Sequence, residues 1–106
     1  MDWAKIDLKG AGSVPRVCAV YEVYDTRRVP DGKYRIKVVQ YPSSEYRAFP
    51  NICVRSSGGI PEWTCGSGRT EAEALEAALA ALSADLEKLH GSVEREAFEW
   101  SDPVEF

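Results

Sequence analysis

Histidine occurs once in these 106 residues, methionine once and cysteine three times. The scarcity of histidine removes the usual centre of a catalytic dyad or triad, because His90 has no signalled second group to order it. Its position at the end of a Leu/Ala run suits hydrogen bonding to the last helical carbonyls instead. An odd number of cysteines fits reduced thiols better than a disulfide framework. Cys18, Cys53 and Cys65 lack the close C-x-x-C spacing of a structural zinc site and read as small apolar thiols. No apolar run approaches the length of a membrane span. No apolar segment follows Met1-Asp2-Trp3-Ala4-Lys5, so a secretory signal is not expected and a cytoplasmic protein is. No pair of carboxylates is isolated in an apolar setting where one pKa would rise. The sequence therefore offers no catalytic residue, no metal set and no cofactor site, and an enzyme is not expected.

What is present centres on one stretch. Gly66-Ser67-Gly68-Arg69 leads into Thr70-Glu71-Ala72-Glu73-Ala74-Leu75 and a Leu/Ala run to His90. Thr70 suits an N-cap, and Glu73 stands three residues on, where its carboxylate can reach back to the Thr70 N–H as a capping box. Glu71, Glu73 and Glu76 put negative charge at the positive end of the helix dipole. Gly91 supplies the stop. Leu75, Leu79, Leu82, Leu86 and Leu89 follow a 4-3-4-3 spacing and share one face. Such a stripe reads as a helix packed on a sheet. A dimerising coiled coil is the sharper alternative, and a homodimer enters the reading on that account, although the heptads are few and lack alternating charge beside the seam. The glycines before the helix could cradle a phosphate on backbone N–H groups, but they lack the lysine of a P-loop and face Glu71 and Glu73.

Before the helix the pattern is that of strands. Residues 1–13 are ambiguous: Ala4, Ile6 and Leu8 alternate with Lys5, Asp7 and Lys9, so a short edge strand is one reading, broken at Gly10-Ala11-Gly12-Ser13. Val14 to Tyr24 reads as a strand with Val17, Ala19, Tyr21 and Val23 on one face and Cys18, Val20, Glu22 and Tyr24 on the other. Pro30-Asp31-Gly32 is a turn. Lys33 to Tyr41 is the clearest strand, with Tyr34, Ile36 and Val38 opposed to Lys33, Arg35 and Lys37. Tyr41-Pro42-Ser43-Ser44 turns the chain again. Glu45 to Arg55 reads as a third strand, and its Pro50 implies an edge or a bulge. Ser56-Ser57-Gly58-Gly59 makes a hairpin turn into a short fourth strand, Ile60 to Cys65, where Pro61 hints at an edge. Ser92 to Trp100 fits a strand or a helical turn. The expected architecture is one α+β domain over 1–106: an antiparallel sheet of about four strands with one long amphipathic helix on a face, a two-layer sandwich. Segments 1–13 and 101–106 are expected to be flexible or to dock on a partner.

Charge is unevenly distributed. Up to Arg69, eleven Lys/Arg stand against seven acids, a balance of +4; from Thr70 onward the balance is −8. Two surfaces follow from that split. Lys33, Arg35 and Lys37 form a cationic stripe on one sheet face, with Arg47 and Arg55 beside it and Tyr41 and Tyr46 interleaved. That stripe suits nucleic acid or an acidic protein, or is the wet face of a sheet covered on its other side. The acidic helix residues Glu73, Glu76 and Glu87, with the aromatic tail residues Trp100 and Phe106, are the candidate contacts to a protein partner. Trp100 and Phe106 alternatively pack back on the core.

The run Tyr46-x-Ala48-Phe49-Pro50-Asn51-Ile52, followed by Gly68-x-Thr70-x-x-Glu73-Ala74-Leu75-x-x-Ala78, resembles the HicB-like antitoxin fold over residues 33–90. That resemblance implies a three-strand sheet with a helix, and a small binding protein that neutralises a partner toxin. No ribbon-helix-helix or helix-turn-helix segment accompanies it. The passage of Gly66-Ser67-Gly68 into an alanine-rich helix is similar to the double-stranded-RNA-binding domain. That family sets lysines at the helix start to grip phosphates, where this chain has Glu71 and Glu73. The reading of the whole is a small non-enzymatic module that regulates or inhibits a protein partner, as an antitoxin-like or mobile-element inhibitor does. Nucleic-acid binding through the basic sheet face is the alternative.

Overall fold

A computed structural model describes residues 3–89, 94–103 and 106. The predicted stop at His90 and Gly91 lies outside those residues. Among the described residues, β1 (Arg16–Tyr24), β2 (Lys33–Gln40), β3 (Tyr46–Pro50), β4 (Ile52–Arg55), β5 (Pro61–Glu62), β6 (Gly66–Gly68), α1 (Glu71–Glu87) and β7 (Phe98–Trp100) follow in chain order. Two antiparallel sheets result, one ordered β1-β2-β3-β6 and the other β5-β4-β7. Helix α1 lies on the first sheet, so the architecture is α+β with helix against antiparallel strands.

The first sheet has four strands, as expected, but its fourth is not Ile60–Cys65. Gly66–Gly68 fills that place, pairing Tyr46 with Gly68 and Ala48 with Gly66. Only Pro61–Glu62 of the expected strand is extended, and it pairs with β4 at the edge of the second sheet. The expected third strand divides. Pro50 ends β3 beyond the reach of β6, so no neighbour on that side asks for its missing N–H. Asn51 then turns the chain: its N–H donates to the Arg35 carbonyl at 2.9 Å, and its Oδ1 accepts from the Arg35 N–H at 2.8 Å. Ile52–Arg55 starts the second sheet and receives β7, with Ile52 opposite Trp100. The ambiguous segment before Trp100 is both things in turn, a 3₁₀ turn at Arg95–Ala97 and then a strand.

The alternation of β2 is as expected: Tyr34, Ile36 and Val38 are buried towards the helix. In β1 it fails at one end. A bulge lies between Val17 and Ala19, so Val17 pairs with Val39 while Ala19 pairs with Val38. The extra residue turns Val17 away from the helix. Tyr21 and Val23 keep their places against the core, and Val17 is 57% exposed. The N-terminal strand does not form. Trp3–Lys5 is a 3₁₀ turn, the Asp7 carboxylate accepts from the Lys9 N–H at 3.0 Å, and Lys9 and Gly10 both adopt positive φ. Those bonds and dihedrals fold the segment back on itself instead of extending it.

The helix meets the sheet along Ala74, Ala78, Leu82 and Leu86, all buried. Leu75, Leu79 and Leu89 flank that seam and are partly buried against it. The buried line is thus shifted from the predicted leucine line, and its first two members are alanines. The reason is Gly66. A Cβ there would stand 2.2 Å from the Ala78 nitrogen and 2.3 Å from the Ala74 oxygen, so only glycine under alanine permits the helix this close. Towards the C-terminal end the seam widens to leucine, and Ile52, Val54 and Phe98 of the second sheet join the same core.

Candidate interaction surface

Among the described residues, no helix lies on the opposite face of the first sheet, although Val39 there is buried. Register places Tyr24, Glu22 and Val20 of β1 there with Arg35, Lys37 and Val39 of β2 and with Phe49 and Arg47 of β3. Lys33 stands beside them and is exposed, as is Arg35. The sequence thus correctly groups Lys33, Arg35, Lys37 and Arg47. It does not foresee what each cation meets.

Lys33 bridges to Glu22 at 3.0 Å across the β1–β2 pair, and its hydrogen bond holds the Glu22 carboxyl below the ordinary carboxylate range. Lys37 donates to the main-chain oxygen of Phe106 at 2.9 Å and sits 4.9 Å from the centre of that ring. Arg47 pairs with Glu45 at 3.4 Å and lies over the Tyr41 ring at 5.1 Å. Arg16 donates to Gln40 at 2.6 Å and covers the Trp3 ring at 5.3 Å. Arg55 leaves the group. It donates to the Phe98 and Gly59 carbonyls and pairs with Glu99, stitching the β4–β5 hairpin to β7. With Asp85 and Lys88 it lines a cleft at the C-terminal end of α1, so it is no part of the stripe. Among the described residues, no hydrogen bond or ion pair engages the Arg35 guanidinium.

The five residues assigned to a protein partner do not form one surface. Glu73 serves the helix: its N–H donates to Thr70 Oγ1 at 3.1 Å, and its carboxylate accepts from the Arg69 N–H at 2.8 Å. The capping box is therefore built one residue further back than predicted, with Arg69 as the donor in place of Thr70. Glu76 and Glu87 are exposed on α1. Trp100 is half-buried and packed against the core, paired with Ile52. Phe106 closes over Lys37, and the Ser101 N–H donates to the Asn51 carbonyl at 2.9 Å. Of the tail residues, Trp100 packs back on the core, whereas Phe106 lies over Lys37 on the outer sheet face and is not part of the core.

The tail creates a feature that the sequence does not announce. Phe106, Lys37, Phe49, Pro50 and Trp63 line one groove together with Thr64 and Ser101. Trp63 is 49% exposed. Exposed apolar residues continue across β1, where Tyr24 is 71% and Val20 51% exposed. Sequence reasoning placed Val20 and Tyr24 on this face but singled out its charges. The signal available was that both faces of β1 carry large apolar side chains, which one covering layer cannot bury.

Cys53 is buried, Cys18 half-buried and Cys65 exposed; burial pushes the Cys53 thiol up. The described residues contain no cluster of His, Cys, Asp or Glu able to hold a metal. They contain no helix long and apolar enough to cross a membrane. Comparison with protein-family models, with curated proteins and with solved structures gives no match to this chain.

Proposed function

We propose that this protein is a non-enzymatic interaction module that regulates or inhibits a protein partner, an antitoxin-like or mobile-element inhibitor by class. The partner meets the uncovered sheet face and the aromatic groove beside it. The supporting observation is that the cations of that face are mostly matched within the chain, while Val20, Tyr24 and Trp63 remain open to water. A surface with paired charges and exposed aromatics gains more from burying apolar area than from meeting a polyanion. Glu76 and Glu87, on the helix layer, are a second acidic contact for a basic partner. Affinity capture from the native host with the full chain tests this. The expected result is one stoichiometric protein that is lost when Trp63→Ala and Phe106→Ala are combined. Capture of no stoichiometric protein by the intact chain refutes it.

Nucleic-acid binding keeps one observation in its favour, the unengaged Arg35 on the same face of the sheet as Lys37 and Arg47. If those three cations make the contacts, the logarithm of affinity falls with the logarithm of salt at a slope of about −3. A gel shift with generic DNA and RNA at low salt separates the two readings: no complex is expected if the partner is a protein.

A further inference from the structure

We infer that Arg35 and Asn51, beside Trp100, form a carboxylate site whose occupant is an acidic side chain of the protein partner. Residues of both sheets meet here. Lys33 and Arg35 of β2, Asn51 after β3 and Trp100 of β7 line one cavity of about 180 Å³, and Glu22 and Asp31 line it too. Four of the lining residues are charged. Glu22 stands opposite Arg35 in the register, but its carboxylate is committed to Lys33 at 3.0 Å and to the Tyr24 hydroxyl at 3.4 Å. Asp31 is paired with Arg95. Arg35 is exposed, and among the described residues its guanidinium has no partner, so the cavity holds one unmatched positive charge.

Asn51 adds a neutral donor. Its Oδ1 accepts from the Arg35 N–H at 2.8 Å, which only the oxygen of an amide can do. The Nδ2 end is thereby fixed, and it makes no hydrogen bond among the described residues. A planar guanidinium and an amide N–H suit the lone pairs of a carboxylate, and one such group cancels the unmatched charge. Size points to a side chain as the source, because the cavity is smaller than the roughly 300–1,000 Å³ of small-molecule sites. The setting agrees: exposed Val20 and Tyr24 flank Glu22 on β1, so apolar surface borders the unmatched cation. An arginine bordered by aromatic and aliphatic surface is a common form of binding hot spot, and excluding water there strengthens its charged hydrogen bonds. A nucleic-acid strand would instead bring further phosphates up to Glu22 and Asp31, which repel them. The inference rests on the protein-partner reading above and names the chemistry that partner presents.

The probe is a phage-displayed library of random peptides, selected on the immobilised full chain. The expected result is a family of peptides sharing one Asp or Glu flanked by aromatic or aliphatic residues. The best of them is then synthesised with its acid changed to the matching amide. That change should weaken binding at least about tenfold to the wild-type chain and less than about twofold to Arg35→Gln, as a direct pair requires. Arg35→Gln should keep the wild-type Tm, because Arg35 is exposed. Asn51→Asp keeps the Oδ1 acceptor, replaces the donor by a negative charge, and should also weaken the acidic peptide. Arg69→Gln removes a cation outside the cavity and should leave binding unchanged. Selected peptides without a shared acid, no enriched peptide, or an acid whose replacement costs as much in Arg35→Gln as in wild type overturns the proposal. So does binding of oligothymidylate that Arg35→Gln abolishes, which assigns the cavity to phosphate. A host protein captured equally well by wild type and Arg35→Gln overturns this inference alone, whereas capture of no host protein refutes the partner reading beneath it.

Discussion

Replacing Gly66 by alanine asks the fold to find room for one methyl group where the backbone of α1 already lies. The added Cβ would stand 2.2 Å from the Ala78 nitrogen, 2.3 Å from the Ala74 oxygen and 2.8 Å from the Ala77 carbonyl carbon. All three are main-chain atoms of a helix, so no side chain can rotate out of the way. Ordinary contact is restored only if the helix retreats by about 1 Å, and a gap of that size forfeits a quarter to a half of the dispersion energy along the seam. Ala74, Ala78, Leu82 and Leu86 make that seam and are buried, so the loss extends beyond the site of substitution.

Overpacking of flexible cores costs about 1–3 kcal/mol. Here the obstruction is rigid, and a cost of about 3 kcal/mol or more is expected, against a total stability of about 5–15 kcal/mol for a domain of this size. Alanine also restricts the unfolded chain, which returns roughly 0.4–1 kcal/mol. The net effect in a thermal melt is a fall of roughly 10–20 °C. Two other glycines serve as controls. At Gly68 the nearest atom is the Glu73 Cβ at 2.5 Å, as fixed as the backbone itself, but main-chain atoms stand at 3.0 Å and beyond, so a smaller retreat of the helix suffices and its alanine variant should lose less. At Gly58 the nearest atom is the Ser56 hydroxyl at 3.9 Å, and its variant should be neutral or slightly more stable. The order of Tm should be Gly58→Ala, then Gly68→Ala, then Gly66→Ala lowest. A Gly66→Ala protein that melts within a few degrees of wild type would refute the close approach of α1 to β6.

Three further outcomes are expected. Thr70→Ala removes the acceptor for the Glu73 N–H and should cost about 1 kcal/mol, or roughly 4–8 °C in Tm, whereas Thr70→Ser should retain most of it. The Tyr21 hydroxyl donates to the Glu71 carboxylate, and that bond raises the Tyr21 pKa above the ordinary tyrosine value. Because the neutral phenol is the form favoured by folding, this contribution is present below pH ~10 and is lost as pH rises through the folded-state pKa. In an ultraviolet titration Glu71→Ala should move one late-ionising tyrosine back towards the ordinary value, and Tyr21→Phe should remove it; an unchanged titration in Glu71→Ala would count against the bond. Thiol labelling of the native protein should proceed in the order Cys65, Cys18, Cys53, with the last reacting on the timescale of unfolding, because it is buried and its thiol is held protonated.

How much of this was legible in the sequence depended on how local its cause was. The cap at Thr70, the turns at Pro30-Asp31-Gly32 and Ser56–Gly59, and the alternation of Tyr34, Ile36 and Val38 each rest on a few neighbouring residues, and each is found. Asp31 joins Gly32 at positive φ, a finer point than the expected single glycine. The features that escaped have distant causes. Gly66–Gly68 carries only one side chain beyond hydrogen, that of Ser67, so alternation cannot mark it as a strand. Its evidence is the alanine spacing of Ala74 and Ala78 on another element. The division at Pro50-Asn51 depends on β6 ending short of Pro50, and the departure of Arg55 from the basic stripe is a consequence of that division. The meeting of Phe106 with Lys37 joins residues 69 positions apart, and no pattern within either segment signals it.

That last contact bears on which kind of partner the sheet face suits. A lysine held by a main-chain oxygen and an aromatic ring has already lost part of its hydration, and so has an arginine lying over Tyr41. Presenting these groups to a polyanion would require the chain to give up its own contacts first, which lowers the net gain from each phosphate. Presenting them to an apolar or aromatic surface requires no such exchange, because the stacked rings stay in place and only add area. The same reasoning gives the reading its sensitivity to salt. Binding through Trp63, Phe106 and the apolar side chains of β1 should hold nearly constant as ionic strength rises, since burial of apolar surface is not screened. Binding through the arginines should fall steeply over the same range. The ratio of affinities at low and high salt is therefore a direct measure of which side chains of this face make the contact.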